Sequence, residues 1–228
     1  MRGDCMLERV DRAGVSLHPA SLLDALRERT KGLHAQAERS GMIADILHGR
    51  ATREDYVLML RSLLPVYREL ETQLARQSHS LAVRGVVRSE LECAAAIEHD
   101  LDQLFADWPK LPMLPAAREY AAAIKAASDG DGARLIAHAY ARYLGDLSGG
   151  QILKRLLGRS LGLPPAALSF YDFPAIGDIP AFKSDYRAAI DRAGDEVEDF
   201  DAVVEEAALA FEMNIALSVA LHATKSAR

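Results

Sequence analysis

Three glycines crowd the segment at residues 140–154, which reads YARYLGDLSGGQILK, and they constrain the fold more than any other feature. Leucine and isoleucine recur there at steps of three, four or five, a spacing that favours a helix. Each glycine inside a helix costs about 1 kcal/mol relative to alanine, so Gly145, Gly149 and Gly150 create a weak point where the helix can bend. The compensating gain is a backbone without Cβ atoms that can lie against a flat, bulky ligand.

Two charged residues accompany these glycines. Asp146 lies between them, and Arg142 precedes it by four residues, so a helix places both side chains on one face. The glycines alone would equally suit close packing of two helices or a helix–loop–helix junction. A bare backbone beside one carboxylate and one guanidinium instead favours the lid of a ligand site.

A polar stripe marks the first predicted helix, which starts near Pro19. Arg27, Lys31, His34 and Glu38 follow one another at offsets of four, three and four, which places them on one side of that helix. The plainer interpretation is a solvated edge with an ordinary surface histidine. The functional interpretation makes His34 an axial metal ligand, with Glu38 orienting the imidazole through its other ring nitrogen. Arg27 and Lys31 would then extend towards anionic groups of the same ligand.

The whole chain favours helices. Half of its 228 residues are apolar and only 6% are aromatic, and alanine and leucine dominate the apolar set. No alternating strand pattern and no repeat occur. We therefore expect an all-α, single-domain protein, with a loose leader at residues 1–18 and one domain at residues 19–228. Helices are predicted from about 19, from 52 through Pro65, and at about 89–105, 115–127, 133 onwards, 180–193 and 198–224.

Composition excludes several classes of protein. The 27 basic and 33 acidic residues give a net charge of −6, which argues against nucleic acid as the main partner. Cys5 and Cys93 are too far apart for a metal motif or a disulfide framework, so a reducing compartment is expected. The N-terminus lacks an apolar signal region, and no stretch reaches 18 uninterrupted apolar residues. We expect a soluble, cytoplasmic protein without a membrane anchor.

Three segments carry a resemblance to a known family. The sequence YLGDLSGGQ with a preceding Tyr-x-Arg closely resembles the distal-helix motif of the heme oxygenases. The sequence TKGLHAQAE around His34 is similar to their proximal segment, and FKSDYR, which holds Lys183 and Arg187, also matches. The resemblance spans about residues 22–221. It implies a heme oxygenase-like fold in which heme lies between a proximal helix and a kinked, glycine-rich distal helix.

The resemblance also implies an activity. Heme oxygenases use heme b as substrate and cofactor together, consume O2 and electrons, and yield biliverdin, carbon monoxide and Fe2+. Ferredoxin, flavodoxin or an NAD(P)H-dependent reductase would suit as the electron donor, and the family is usually monomeric. A non-catalytic heme carrier or sensor is the alternative that remains. Thiaminase-like helical proteins share a related fold but need an active-site cysteine, and neither cysteine lies near these motifs.

Individual residues take roles from this resemblance. His34 should supply a neutral imidazole to the heme iron. On the opposite side, residues 140–154 hold no histidine that would split the O–O bond as in a peroxidase. Asp146 should instead hold a water chain that delivers protons, with Arg142 and Tyr67 as members of the same network.

The resemblance further assigns the edge of the heme. Its propionates should meet five residues: Arg27, Lys31, Tyr140, Lys183 and Arg187. The four cations among them should fix how heme is rotated in its pocket. Because Lys183 and Arg187 follow the family pattern, the α isomer of biliverdin is predicted. Phe211 and Asn214 match a family Phe-x-x-Asn segment that packs near the heme, although a plain core position also suits Phe211.

Overall fold

Helices form the regular structure throughout the part of the chain that the computed structural model describes, residues 21–227. The nine α-helices of that range are α1 (Leu22–Arg39), α2 (Gly41–Leu47), α3 (Arg53–Arg76), α4 (Ala94–Leu104), α5 (Pro115–Ala127), α6 (Leu135–Ala139), α7 (Gln151–Leu161), α8 (Ile179–Gly194) and α9 (Phe200–Ala223). No β-strand occurs between residues 21 and 227, so the all-α prediction is confirmed there. The predicted leader and Pro19 lie outside the described residues.

Local sequence signals set several helix ends. The α1 helix begins at Leu22, where the Ser21 side chain accepts a hydrogen bond from the Asp24 amide at 3.2 Å. Thr52 and Asp55 form a reciprocal capping box at the start of α3. As predicted, α3 continues through Pro65, and α5 has the predicted bounds. The predicted helix at 89–105 is wrong at its start, because a short 3-10 turn (Ser89–Leu91) precedes α4.

The α2 helix was not predicted from the sequence. It follows α1 directly at Gly41, whose φ is +61°, a conformation that side-chain-bearing residues rarely adopt. A Cβ atom at Gly41 would also lie 2.4 Å from the carbonyl carbon of Ser218. Only glycine therefore suits this corner, where the chain presses against α9.

The α9 helix is the centre of the fold. It packs against α1, α2, α3, α5 and α6, which explains why it is apolar on nearly all sides. Arg29 of α1 bonds Glu205 of α9, and further along both helices the ring centroid of His34 lies 5.9 Å from that of Phe211. Because both contacts advance together along the sequence, α1 and α9 run parallel.

The glycine-bearing helix runs from residue 135 to residue 161. Between α6 and α7 it contains two π-helical turns, Tyr140–Leu144 and Asp146–Gly150, where the sequence predicts a weak point. π-Helical turns inside α-helices occur frequently at functional sites. They coincide here with the residues to which the sequence assigns chemistry. No helix in the described range is long and apolar enough to cross a membrane.

Candidate functional site

A buried polar network occupies the first face of the site. The Tyr67 hydroxyl donates a short hydrogen bond to Asp146 and accepts bonds from Arg142 Nε at 3.0 Å and Nη2 at 2.7 Å. Arg142 also donates to Asp146 Oδ1 at 3.3 Å and to Asn214 Oδ1 at 2.6 Å. We call Tyr67, Arg142, Asp146 and Asn214 the distal network. The prediction that Arg142 and Asp146 share a helix face is confirmed by their contact.

Burial determines the electrostatics of this network. Burial raises the pKa of Asp146 above its ordinary value, although the Arg142 charge and the Tyr67 hydrogen bond lower it. Burial also raises the pKa of Tyr67 well above its ordinary value, so the hydroxyl keeps its proton and donates a hydrogen bond to Asp146. Burial opposes the charge of Arg142, but Tyr67 and Asp146 outweigh it and raise the pKa of the guanidinium. The network therefore places a carboxyl group with a raised pKa beside a permanent cation.

A small cavity adjoins the network. Its volume is about 40 Å³, enough for roughly two or three water molecules. Arg142, Asp146, Asn214 and Ser218 supply its polar wall, while two aromatic residues and aliphatic or methionine side chains supply the rest. Water held there would reach Asp146 directly. The cavity is far too small for a macrocyclic ligand.

The three glycines of that helix have different surroundings. Gly145 and Gly149 are exposed, and a Cβ atom at either would meet nothing within 4 Å. They are four residues apart and leave open space beside the backbone. Gly150 is buried, and a Cβ atom there would lie 3.0 Å from Tyr171 Cδ1. Gly145 and Gly149 thus leave room for a ligand, whereas Gly150 permits close packing inside the protein.

His34 lies on the second face of the site. Its side chain is 61% exposed, and its Nδ1 lies 3.6 Å from Glu38 Oε1, close but longer than a hydrogen bond. No described residue hydrogen-bonds the His34 ring, so Nε2 is available to a metal. The ring centroid lies 5.9 Å from that of Phe211, which lies 6.4 Å from that of Tyr140. Phe211 therefore connects the histidine face of α1 to the glycine-bearing helix.

The predicted cations lie on two helices that pack together. The Leu23 amide donates to Asp191 at 2.9 Å and Gly194 packs on Leu22, which joins α8 to α1. Lys183 and Arg187 are four residues apart on α8, and burial together with Arg187 lowers the pKa of Lys183. The Tyr140 hydroxyl lies 3.4 Å from Thr30 Oγ1, one residue from Lys31.

Most of these cations have no carboxylate partner. Arg27 pairs with Asp24 at 3.4 Å, with both side chains exposed. Among the residues that the structure describes, no carboxylate lies within ion-pair distance of Lys31, Lys183 or Arg187. Unneutralised cations beside an exposed imidazole suit a ligand that carries both a metal and anionic groups. No cluster of three or more His, Cys, Asp or Glu side chains that could hold a bare metal ion occurs in the described range.

Sequence reasoning missed one part of the site, the Ser169–Tyr171 turn. The Phe170 ring lies edge-on to the Tyr67 ring at 5.3 Å between centroids, and Tyr171 packs on Gly150. These residues belong to the sequence SFYDF at residues 169–173, for which no role was predicted. The signal available was that pair of aromatic residues inside a connection, where large apolar side chains need a partner elsewhere in the fold.

Comparison with known proteins identifies the family. A family model for heme oxygenase matches residues 20–220. Heme oxygenase 1 of Pongo abelii is 36% identical over 204 residues, which cover 87% of this chain and 71% of that protein.

Solved structures agree with this match. The heme oxygenase of Leptospira interrogans superimposes with a TM-score of 0.82 at 34% identity, over 88% of this chain and 99% of that one. Heme oxygenase-1 of the cyanobacterium Synechocystis sp. PCC 6803, solved in complex with heme, gives a TM-score of 0.83 at 31% identity, over 90% and 94% of the two chains. The described helices therefore adopt the fold of these enzymes.

Proposed function

This chain belongs to the heme oxygenase family, whose members are oxidoreductases that degrade heme, and on that premise we propose that it opens heme b at the α meso carbon. The products would be biliverdin, carbon monoxide and Fe2+. Heme would act as substrate and cofactor, O2 as oxidant, and ferredoxin, flavodoxin or an NAD(P)H-dependent reductase as electron donor. The observation that carries the proposal is the buried distal network behind the two open glycines, Gly145 and Gly149.

On the proximal side, His34 would hold the heme iron. Its imidazole is exposed and its Nε2 has no hydrogen bond from any described residue, which a metal ligand requires. Glu38, 3.6 Å from Nδ1, is placed to accept a hydrogen bond from that nitrogen after a small rotation, which would fix the tautomer. Phe211 would pack between the His34 face and Tyr140 at the side of the ligand.

On the distal side, the chain would supply protons and a backbone that the macrocycle can approach closely. Bound heme supplies the iron that activates O2. Asp146, whose pKa is raised by burial, would pass protons to water held in the adjoining cavity, while Tyr67 and Arg142 keep its carboxylate in place. Gly145 and Gly149 would let the backbone approach the macrocycle closely because no Cβ atom intervenes.

The cations would orient the ligand. Lys31, Lys183 and Arg187 would bind the propionates, since none of them has a carboxylate partner among the described residues. Arg27 would have to exchange its exposed contact with Asp24 for a propionate, at little cost because exposed ion pairs contribute at most about 1 kcal/mol. The orientation of heme would then determine which meso carbon faces the distal side, and we propose the α carbon.

A hemin titration followed by aerobic reduction tests this function, with catalase present to remove free peroxide. We expect one equivalent of hemin to give a Soret band that decays into a biliverdin spectrum, with one carbon monoxide and one iron released. Chromatography of the product should give the α isomer, and mainly β or δ isomer would contradict the proposed orientation. A Soret band that persists under reduction and O2 would make the protein a heme carrier or sensor.

A further inference from the structure

Asp100 is a fully buried carboxylate on α4 that the proposed chemistry does not use. Its Oδ1 accepts hydrogen bonds from the Ser169 amide at 2.8 Å and the Ser169 hydroxyl at 2.6 Å, and its Oδ2 accepts one from the Phe170 amide at 2.9 Å. Three donors thus converge on one side chain from a turn 69 residues away in sequence. A buried carboxylate is costly unless it is hydrogen-bonded in this way.

The turn that Asp100 holds contacts two parts of the distal side. Phe170 lies edge-on to the Tyr67 ring at an interplanar angle of 75°, an arrangement that stabilises an aromatic pair. This contact limits rotation of Tyr67, whose hydroxyl bonds both Asp146 and Arg142. Tyr171 packs on Gly150, the last residue of the second π-helical turn.

The same turn is fastened to the glycine-bearing helix. Gln151 Nε2 donates to the Tyr171 carbonyl at 2.8 Å, and Lys154 forms an ion pair with Asp172. The turn is therefore held by α4 on one side and by α7 on the other. A shift of the turn would move the Tyr67 ring and the backbone at Gly150 together.

From this geometry we infer that Asp100 is a positioning residue for the distal network, acting through the Ser169–Tyr171 turn. The inference rests on the proposed function, because the network matters to catalysis only if the protein degrades heme. An acceptor-only side chain is required, since all three of its partners are donors. Asparagine at this position would present an NH2 group either to the two Ser169 donors or to the Phe170 amide. Either orientation leaves buried groups unpaired and displaces the turn.

The test compares Asp100→Asn with Asp45→Asn, a matched control. Asp45 is also buried and accepts hydrogen bonds from His222, Lys225 and Arg50, but none of its partners belongs to the turn or the distal network. Amide hydrogen exchange of the heme-free proteins is followed at residues 149–151, 169 and 170. Hemin affinity and the fraction of bound heme converted to biliverdin in a single turnover are measured in parallel.

We expect Asp100→Asn to speed amide exchange at residues 149–151 as well as at the turn. The biliverdin yield should fall about tenfold, because small displacements of reacting groups have effects of this order. Hemin affinity should stay within about twofold of the unsubstituted protein, since the substitution leaves His34 and the cations in place. Asp45→Asn should lower thermal stability without either change. Faster exchange confined to the turn, or a yield equal to that of Asp45→Asn, would overturn the inference.

A second variant keeps the inference testable if Asp100→Asn does not fold. Phe170→Leu retains the hydrogen bonds to Asp100 and removes the ring contact with Tyr67. It should lower the biliverdin yield with little change in hemin affinity, and an unchanged yield would contradict the inference. Absence of biliverdin from the unsubstituted protein would instead refute the proposed function, while the exchange data on the heme-free variants would still report whether Asp100 orders the glycine-bearing helix.

Discussion

Replacement of Tyr67 by phenylalanine removes a single oxygen atom from the centre of the distal network. That oxygen donates to Asp146 and accepts from Arg142 at 3.0 and 2.7 Å. Hydrogen bonds to charged groups contribute about 1.5–3 kcal/mol each. Arg142 retains Asn214 and the 3.3 Å contact with Asp146, so only part of this interaction is lost. We expect Tyr67→Phe to lower the free energy of unfolding by about 3 kcal/mol at neutral pH.

The loss should depend on pH with a definite sign. Burial raises the pKa of Asp146, and the hydrogen bond from Tyr67 opposes that rise, so the variant should have a still higher pKa at this carboxyl. A carboxyl group whose pKa is higher in the folded than in the unfolded protein lowers stability above that pKa, and stability returns as the pH falls through it. Tyr67→Phe should therefore cost less stability in mildly acidic solution than at neutral pH.

Urea denaturation of the heme-free protein at the two pH values measures this effect, with Tyr186→Phe as the control. Tyr186 is fully buried too, but its hydroxyl donates only to the Val86 carbonyl, at 3.1 Å. Its loss should cost about 1 kcal/mol, with no difference between the two pH values. If Tyr67→Phe costs no more than Tyr186→Phe, or costs the same at both pH values, the reasoning about the network is wrong.

Other substitutions test separate parts of the site. Gly150→Ala should lower the free energy of unfolding by about 1–3 kcal/mol, since the new methyl group meets Tyr171 at 3.0 Å. In Gly149→Ala the new methyl group meets nothing within 4 Å, so thermal denaturation should show a stability that is unchanged or raised by up to about 1 kcal/mol. The same methyl group should weaken hemin binding, which a hemin titration measures. His34→Ala should leave the heme-free protein as stable as before, because the side chain is 61% exposed, but displace the Soret band of the hemin complex, and added imidazole should restore that band. Burial opposes ionisation of Asp45, but its hydrogen-bonded neighbours hold its pKa at about 2. The ionised side chain therefore stabilises the fold above its unfolded pKa of about 4, and this stabilisation is lost as the pH falls towards 2. Asp45→Asn should make stability less dependent on pH over that range, as measured by acid unfolding followed by circular dichroism.

Local patterns predicted much of the fold. The capping box at Thr52, the bounds of α5 and the passage of α3 through Pro65 all follow from residues within a few positions of each other. The α2 helix did not, because its start depends on the close approach of Gly41 to Ser218, 177 residues later. Contacts between distant segments have no local pattern in a single sequence.

The same distinction holds within the site. Arg142 and Asp146 are four residues apart, so spacing alone placed them together. The contact of Arg142 with Asn214 and the support of Tyr67 by Phe170 join segments far apart in sequence, and only the fold brings them together. The different surroundings of Gly149 and Gly150 likewise depend on Tyr171, which neighbouring residues do not reveal. The functional contacts within one helix could therefore be predicted from spacing, and those between distant segments could not.

The central claim is that the distal network directs bound heme towards ring opening, and the biliverdin yield of Asp146→Ala tests it most directly. Hemin is bound, reduced once in air with catalase present, and biliverdin is quantified per heme against the unsubstituted protein. We predict unchanged hemin affinity, because His34 and the cations are intact, with a biliverdin yield lowered by about tenfold or more, in the range typical of a lost proton donor. An unchanged yield would contradict the claim that Asp146 supplies the protons.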